Sequence, residues 1–278
     1  MSVQERNPER TDLQRGEYCM RYEPNRAWGD TVSMFLDIAM LRGFWPMSSV
    51  GVNLGDAIDI SGQGRFLTAV GNPFYGYRGT AATPTGLPSY INLDGSDHLR
   101  RADEAALDLS GAEAYVDVTI QGLTLGCWVY CANAAAAIEY IMCKWNGAGG
   151  AATANYFIRR TAGGALEIYV GNGVASDNHS GGTLLQNTWH HVVGRFDTNN
   201  GTLAVFLDGT KYQKNTALAT PLNNNNHDFT IGARDAGGGT GGAFLTGLVS
   251  FAFLSACALS DVHIKTLFNH SKALFGVH

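Results

Sequence analysis

The sequence predicts an all-β fold: an antiparallel two-sheet sandwich preceded by a polar arm with a short helix and closed by a short C-terminal helix. Short runs rich in β-branched and aromatic residues recur from residue 43 onward, separated by Gly, Asn and Asp punctuation. No helical periodicity separates them, which argues for antiparallel sheets rather than a βαβ arrangement. The composition agrees, with 45% hydrophobic and 15% charged residues and 35 Gly against 7 Pro in 278 residues.

Up to Trp28 the chain is Arg/Glu-rich and aperiodic. Val32, Phe35, Leu36, Ala39 and Met40 then recur at helical spacing behind a potential N-cap, Asp30, with Gly43 as the stop. Residues 1–40 therefore form one expected unit, an arm and amphipathic helix whose Trp28, Val32, Phe35, Leu36 and Met40 either pack on the chain's own domain, as amphipathic faces usually do, or grip a partner. Residues 41–278 form the second. Its strand-like runs are, in order, GFWPMSS, RFLTAV, SYINLDG, GLTLGCWVY, EYIMCKW, NYFIRR, ALEIYVG, WHHVVGRFD, LAVFLDGTKY, DFTIGARD and LVSFAFLS. In WHHVVGRFD, period-2 alternation puts Trp189, His191, Val193 and Arg195 on one face and His190, Val192, Gly194 and Phe196 on the other. Asp208-Gly209 is a strong hairpin signal, and Asn199-Asn200-Gly201 repeats the same turn chemistry. At the C-terminus Ser260 or Asp261 caps a helix carrying Ile264, Leu267 and Phe268 on one face, which Gly276 ends.

The formal net charge of −5 offers no basic field for a polyphosphate backbone, so nucleic acid is not an expected partner. The five cysteines, Cys19, Cys127, Cys131, Cys143 and Cys257, form an odd, dispersed set that reads as reduced, mostly buried thiols. The opening residues lack the layout of a secretory signal, and without one the sequons at Asn178 and Asn269 read as chance matches. The uncharged stretch from Gly237 to Ser260 is broken by Thr246, Gly247, Ser250 and Ser255. It reads as a glycine-rich loop feeding a buried strand, not as a membrane span.

The order of several motifs resembles the laminin-G-like domains of the concanavalin A-like lectin/glucanase superfamily. The strand LRGFWPMSSV is followed by Asp59-Ile60-Ser61-Gly62-Gln63-Gly64 and by the Asp94-Gly95-Ser96-Asp97 turn. Leu123 to Val129 and the lysine-bearing Met142-Cys143-Lys144-Trp145 come next. Trp189 to Asp197 with Leu207-Asp208-Gly209 is the most specific piece, and Phe229-Thr230-Ile231-Gly232 with LSDVHIKTLF closes the set. The resemblance covers about residues 41 to 275 and implies a jelly roll of two sheets. It does not imply one function, because this superfold hosts lectins, glycosidases, adhesion modules and structural coats. Many such domains hold calcium at the rim, and Asp59, Asp94 and Asp97 sit in the matching turns; the alternative is that each Asp caps backbone N–H groups, as Asp does in most turns. No cofactor is required, and calcium is the one metal the resemblance leaves open.

Catalysis is not expected. Glycoside hydrolysis needs two carboxyl groups facing one bond, and the E-x-D-x-x-E pattern of the superfamily's glucanases is absent. There is no G-x-S-x-G elbow, no paired zinc knuckle, no P-loop and no dinucleotide fingerprint. Glycan binding instead needs exposed aromatic rings beside amides or carboxylates, for which Trp145, Tyr156, Tyr169, Asn172, Asp177 and Asn178 are the candidates. Two functional readings follow. One is a non-enzymatic, homo-oligomeric structural protein of a large assembly. In that reading it is a phage virion decoration or fibre protein assembled in the host cytoplasm, held through its arm by protein partners and able to meet host-surface glycans. The other is a free, extracellular carbohydrate-binding module or lectin.

Overall fold

The computed structural model describes residues 40–47, 56–76, 89–110, 122–147, 150, 153–219, 221–237 and 240–277. Trp28, Val32, Phe35 and Leu36 lie outside these residues, so the expected arm and its helix do too. The strands are β1 (Leu41–Trp45), β2 (Thr68–Val70), β3 (Phe74–Gly76), β4 (Tyr90–Asp94), β5 (His98–Arg101), β6 (Gly122–Cys131), β7 (Glu139–Lys144), β8 (Tyr156–Arg160) and β9 (Ala165–Gly171). They continue as β10 (Ser176–Thr183), β11 (Trp189–Asp197), β12 (Thr202–Leu207), β13 (Thr210–Asn215), β14 (Phe229–Ile231), β15 (Arg234–Gly237), β16 (Thr240–Gly242) and β17 (Thr246–Ser255). Helix α1 (Ala105–Asp108) is a single turn, and α2 (Asp261–Ser271) runs into a 3₁₀ turn over Lys272–Phe275.

These strands make the antiparallel jelly-roll sandwich that the sequence predicts. An eight-stranded sheet has the order β13-β12-β11-β6-β17-β4-β3, with β1 also paired to β17, and a seven-stranded sheet has the order β10-β9-β8-β7-β14-β5-β2. Between them lie Leu123, Leu125, Cys127 and Val129 of β6, Val192 and Phe196 of β11, and Ile158, Ile168 and Val170 from the opposite sheet. Gly194 shows how closely the sheets approach: a Cβ there would stand 2.6 Å from Ile158 and 2.8 Å from Ile168. The expected alternation of β11 holds, since Trp189 and Val193 join a different cluster from Val192 and Phe196. Asp208 and Gly209 both have positive φ, 50° and 76°, which suits the two-residue loop joining β12 to β13.

The outer face of the eight-stranded sheet carries a second apolar layer, with Trp128, Trp189, Val193, Phe206, Phe251 and Phe253 roofed by Ile264, Leu267 and Phe275. Trp128 stacks on Phe275 with centroids 4.2 Å apart, and its indole N–H donates to Ser271 Oγ at 2.9 Å. Strands β6 and β11 are thus apolar on both sides, and at about 1.5–3 kcal/mol per fully buried large side chain this layer fixes the C-terminal helix in place. Ser260 caps that helix, as expected, by accepting from the His263 backbone N–H.

Several local expectations change. Gly43, read as a helix stop, lies inside β1, where the Trp45 ring folds over it at a distance no Cβ would allow. Met40, assigned to the arm, packs on the main core, and its carbonyl accepts from Ala256 N–H. The region from Asn172 to Ser180, read as a loop, contains most of β10, whose polar sequence hides its pairing with β9. The stretch from Gly237 to Ser260 does supply a buried strand, β17, but its glycine-rich start helps form the β15–β16 hairpin. No helix among the described residues is long and apolar enough to cross a membrane.

His191 is fully buried against Trp128 and Phe268, and neither ring nitrogen has a hydrogen-bond partner. Burial pulls its pKa down to about 4, with Asp208 opposing weakly. The unfolded chain therefore binds this proton more readily than the native one. Its stabilising effect is complete above about pH 6.5 and is lost as pH falls towards 4, by about 3 kcal/mol in all. Urea unfolding from pH 7 to 4 should show that this part of the slope disappears in His191→Phe.

Candidate functional site

On the outer face of the seven-stranded sheet, strand register determines which side chains stand together. Cys143 pairs with Phe157, Phe157 with Tyr169, and Tyr169 with Asn178, so one cross-strand row runs over β7, β8, β9 and β10. The next row is Tyr140, Arg159, Glu167 and Ser180. Trp145, just past β7, completes a group of three near-parallel rings with centroids 5.3 Å (Trp145–Phe157), 4.9 Å (Phe157–Tyr169) and 5.6 Å (Trp145–Tyr169) apart. Phe157 is covered, whereas Trp145 and Tyr169 stay partly exposed.

Polar groups frame the rings. The Arg159 guanidinium lies 4.9 Å from the Phe157 centroid, donating from Nε to Glu167 at 3.0 Å and from Nη1 to the Tyr140 hydroxyl at 3.0 Å. The other Glu167 oxygen accepts from Asn178 Nδ2 at 2.9 Å. At the end of the sheet the Trp145 indole donates to Thr153 Oγ1 at 3.2 Å. Thr153 in turn lines a depression of about 440 Å³ with Asp103, His227 and the four asparagines 223–226, of which Asn224 and Asn226 are exposed. An aromatic platform and an amide-rich hollow thus adjoin at Trp145, a combination that suits a ligand with both apolar faces and hydroxyl edges.

A buried lysine holds the hollow. The Lys144 side chain has 0% exposure, and its ammonium contacts Asp103 Oδ1 at 2.6 Å, Asp108 Oδ1 at 3.0 Å, the His227 carbonyl at 2.7 Å and Asn225 Oδ1 at 3.5 Å. Burial raises the pKa of Asp108, and Lys144 works against that shift. Asn225 also donates to the Thr153 carbonyl at 2.9 Å. Removing one member of a buried ion cluster costs about 3–5 kcal/mol, so Lys144→Met should lose that much stability in urea unfolding, and adding Asp108→Asn should recover part of it.

Of the expected glycan residues, the structure brings Trp145, Tyr169 and Asn178 together on one face. Asn172 lies at the β9–β10 turn near the asparagine segment, where its Oδ1 accepts from the Val174 and Ala175 N–H groups. Asp177 is turned away to an ion pair with Lys214 on the other sheet. Tyr156 needs correction: it faces the core with 0% exposure, and its hydroxyl donates to the Leu107 carbonyl at 2.7 Å. Tyr140, Phe157, Arg159 and the asparagine hollow were missed, although strand parity relative to Ile158 and Ile168 would have pointed Phe157 and Arg159 outward.

The three aspartates considered for calcium are each engaged by protein groups. Asp59 is buried and accepts from the backbone N–H groups of Phe44, Ser61 and Arg65 at 3.0, 2.9 and 2.8 Å, which uses both oxygens. Asp97 accepts from Asn72 N–H, and Asp94 from the N–H and hydroxyl of Ser96. Among the described residues no three His, Cys, Asp or Glu side chains gather as a metal site. The buried thiols are likewise quiet, for burial raises Cys131 to about 11 and Cys143 to about 12.

Comparison with known proteins adds the family. No curated protein sequence matches the chain. Among solved structures, the binding domain of Paraclostridial Mosquitocidal Protein 1 superposes with a TM-score of 0.62 at 13% identity, covering 86% of this chain and 56% of that one. The binding domain of botulinum neurotoxin DC in complex with SialylT gives 0.56 at 12% identity, with 86% and 52% covered. A botulinum neurotoxin type C structure, described by its interaction with two ganglioside molecules, gives 0.56 at 11%, with 85% and 52% covered. The chain spans about half the length of these proteins, and at such identities the likeness is one of fold. The Laminin_G_3 model matches residues 104–265, more than half of the chain. This chain therefore belongs to the Laminin_G_3 family of the concanavalin A-like lectin/glucanases superfamily.

Proposed function

We propose that this chain is a non-enzymatic, lectin-like binding domain that takes glycans on the Trp145–Phe157–Tyr169 face and in the asparagine hollow beside it. The observation that carries the reading is that row of near-parallel rings, of which Trp145 and Tyr169 are partly exposed, while the equivalent face of the other sheet is roofed by the C-terminal helix. Two of the structural neighbours are described with SialylT or gangliosides, which supports a carbohydrate as the ligand class. The carboxylates near the face are committed to cations, Glu167 to Arg159 and Asp103 to Lys144, an arrangement for binding rather than for acid–base work.

The domain serves, in this reading, as the displayed module of a larger assembly, a virion decoration or fibre protein anchored by residues 1–40. The polar arm and amphipathic pattern of that segment support it. A glycan array run with calcium and with chelator should give hits that persist without calcium. Trp145→Ala and Tyr169→Ala should each weaken binding at least about tenfold while far-UV and near-UV spectra stay native. A blank array, or hits indifferent to both substitutions, contradicts the glycan reading. Removing residues 1–39, which keeps Met40 on the core, should leave a folded domain that no longer assembles, as judged by light scattering; unfolding on truncation contradicts the anchor.

A further inference from the structure

The β15–β16 hairpin adjoins the aromatic face. Ala243, just past it, packs with Tyr140, Cys143 and Phe157, and its carbonyl accepts from the Tyr140 N–H at 3.1 Å. The first residue of the hairpin, Arg234, lies against Gly147, two positions beyond Trp145. A Cβ on Gly147 would stand 2.1 Å from Arg234 Nη1 and 2.7 Å from its Cζ, so a side chain there would displace the guanidinium. Gly242, paired with Arg234 across the hairpin, gives it room on the other side, where a Cβ would stand 3.3 Å from Nη2. Two glycines thus seat this cation beside the rings.

Arg65, Arg100, Arg101, Arg159, Arg160 and Arg195 each have a carboxylate oxygen at 3.4 Å or closer. Arg234 has no ion pair and no hydrogen bond with any described residue. Its Nε is buried, but the side chain as a whole is only half-buried, and its terminal Nη edge is the part left to meet a ligand. The acids nearby are spent on others. Asp235 accepts from the Asp228 and Gly237 N–H groups and faces His227, while Glu167 holds Arg159 and Asp103 holds Lys144. Burial raises the pKa of Tyr140 and of Cys143, and the Arg234 charge works against both rises, so its field reaches the platform. A cation left without a counterion beside low-dielectric walls attracts an anion strongly, and the guanidinium fork matches an oxyanion with two parallel N–H donors. We propose that Arg234 reads an oxyanion on the bound glycan, which makes the ligand of the aromatic face an acidic sugar, one bearing a carboxylate or a sulfate ester. The inference rests on the glycan reading of that face and narrows its ligand class.

The test is calorimetric titration of the intact chain with matched pairs of oligosaccharides. One set ends in glucuronate, galacturonate or N-acetylneuraminate, each paired with the same glycan after reduction of its carboxyl to a primary alcohol. The other ends in a 6-sulfated galactose or N-acetylglucosamine, each paired with its unsulfated form. At least one acidic member should bind about tenfold more tightly than its neutral partner, the worth of one charge-assisted contact, and the preference should shrink at high salt. Whichever set shows it tells carboxylate from sulfate. Arg234→Gln should abolish the preference while the neutral partner binds as before, and Arg234→Lys should keep only part of it. Equal affinity within every pair, or a preference that survives Arg234→Gln, overturns the acidic-sugar inference and leaves the glycan reading standing. No binding by any member, acidic or neutral, overturns both.

Discussion

The Lys144 ammonium draws oxygens from three places that are distant in sequence: Asp103 beside α1, Asp108 at its end, and the 225–227 segment. Taking a cation out of water costs several kcal/mol, recovered only where partners surround it. Because Lys144 ends a strand of the seven-stranded sheet, the sheet itself carries the charge that gathers these loops. The asparagine hollow is therefore built by the sheet rather than left to loop preference, and Trp145, the next residue, inherits a fixed position beside it. Asn155 reinforces the arrangement by donating to the Asp108 and Asn223 carbonyls at 2.9 and 2.7 Å.

The two outer faces of the sandwich have different fates, and function follows from that asymmetry. On the eight-stranded sheet the chain supplies its own cover, and the aromatic residues there are core. On the seven-stranded sheet Trp145 and Tyr169 stay partly exposed, and Arg159 and Asn178 both donate to Glu167, which pins the surface. A platform held in this way loses little side-chain freedom when a ligand arrives, which is how pre-organised sites gain affinity. Where the roof ends, at Asp261, the covered sheet turns polar as well.

Much of the fold was legible because β-strand parity and turn chemistry are local. The Asp208-Gly209 hairpin, the two faces of β11 and the Ser260 cap each depend on a few neighbouring residues, and each was read from them. Strand β10 was not legible, since its Ser, Asp, Asn, His and Gly residues carry no apolar alternation and bury little. Tyr156 misled for a related reason: an aromatic near a loop has no visible face until the register of β8 is known. The site itself was half legible. Trp145 and Tyr169 stood out as aromatics, but the role of Lys144 and the asparagines depends on contacts across 41 to 83 residues of chain that no local pattern encodes.

Hydrogen–deuterium exchange over residues 222–228, compared between the native chain and Lys144→Met, tests most directly whether the buried ammonium shapes the binding face. Protection of the Asn223, Asn225 and His227 amides should fall in the variant while β6 and β11 keep theirs, and glycan binding should fall with it. Unchanged protection of that segment, with binding retained, would contradict the account.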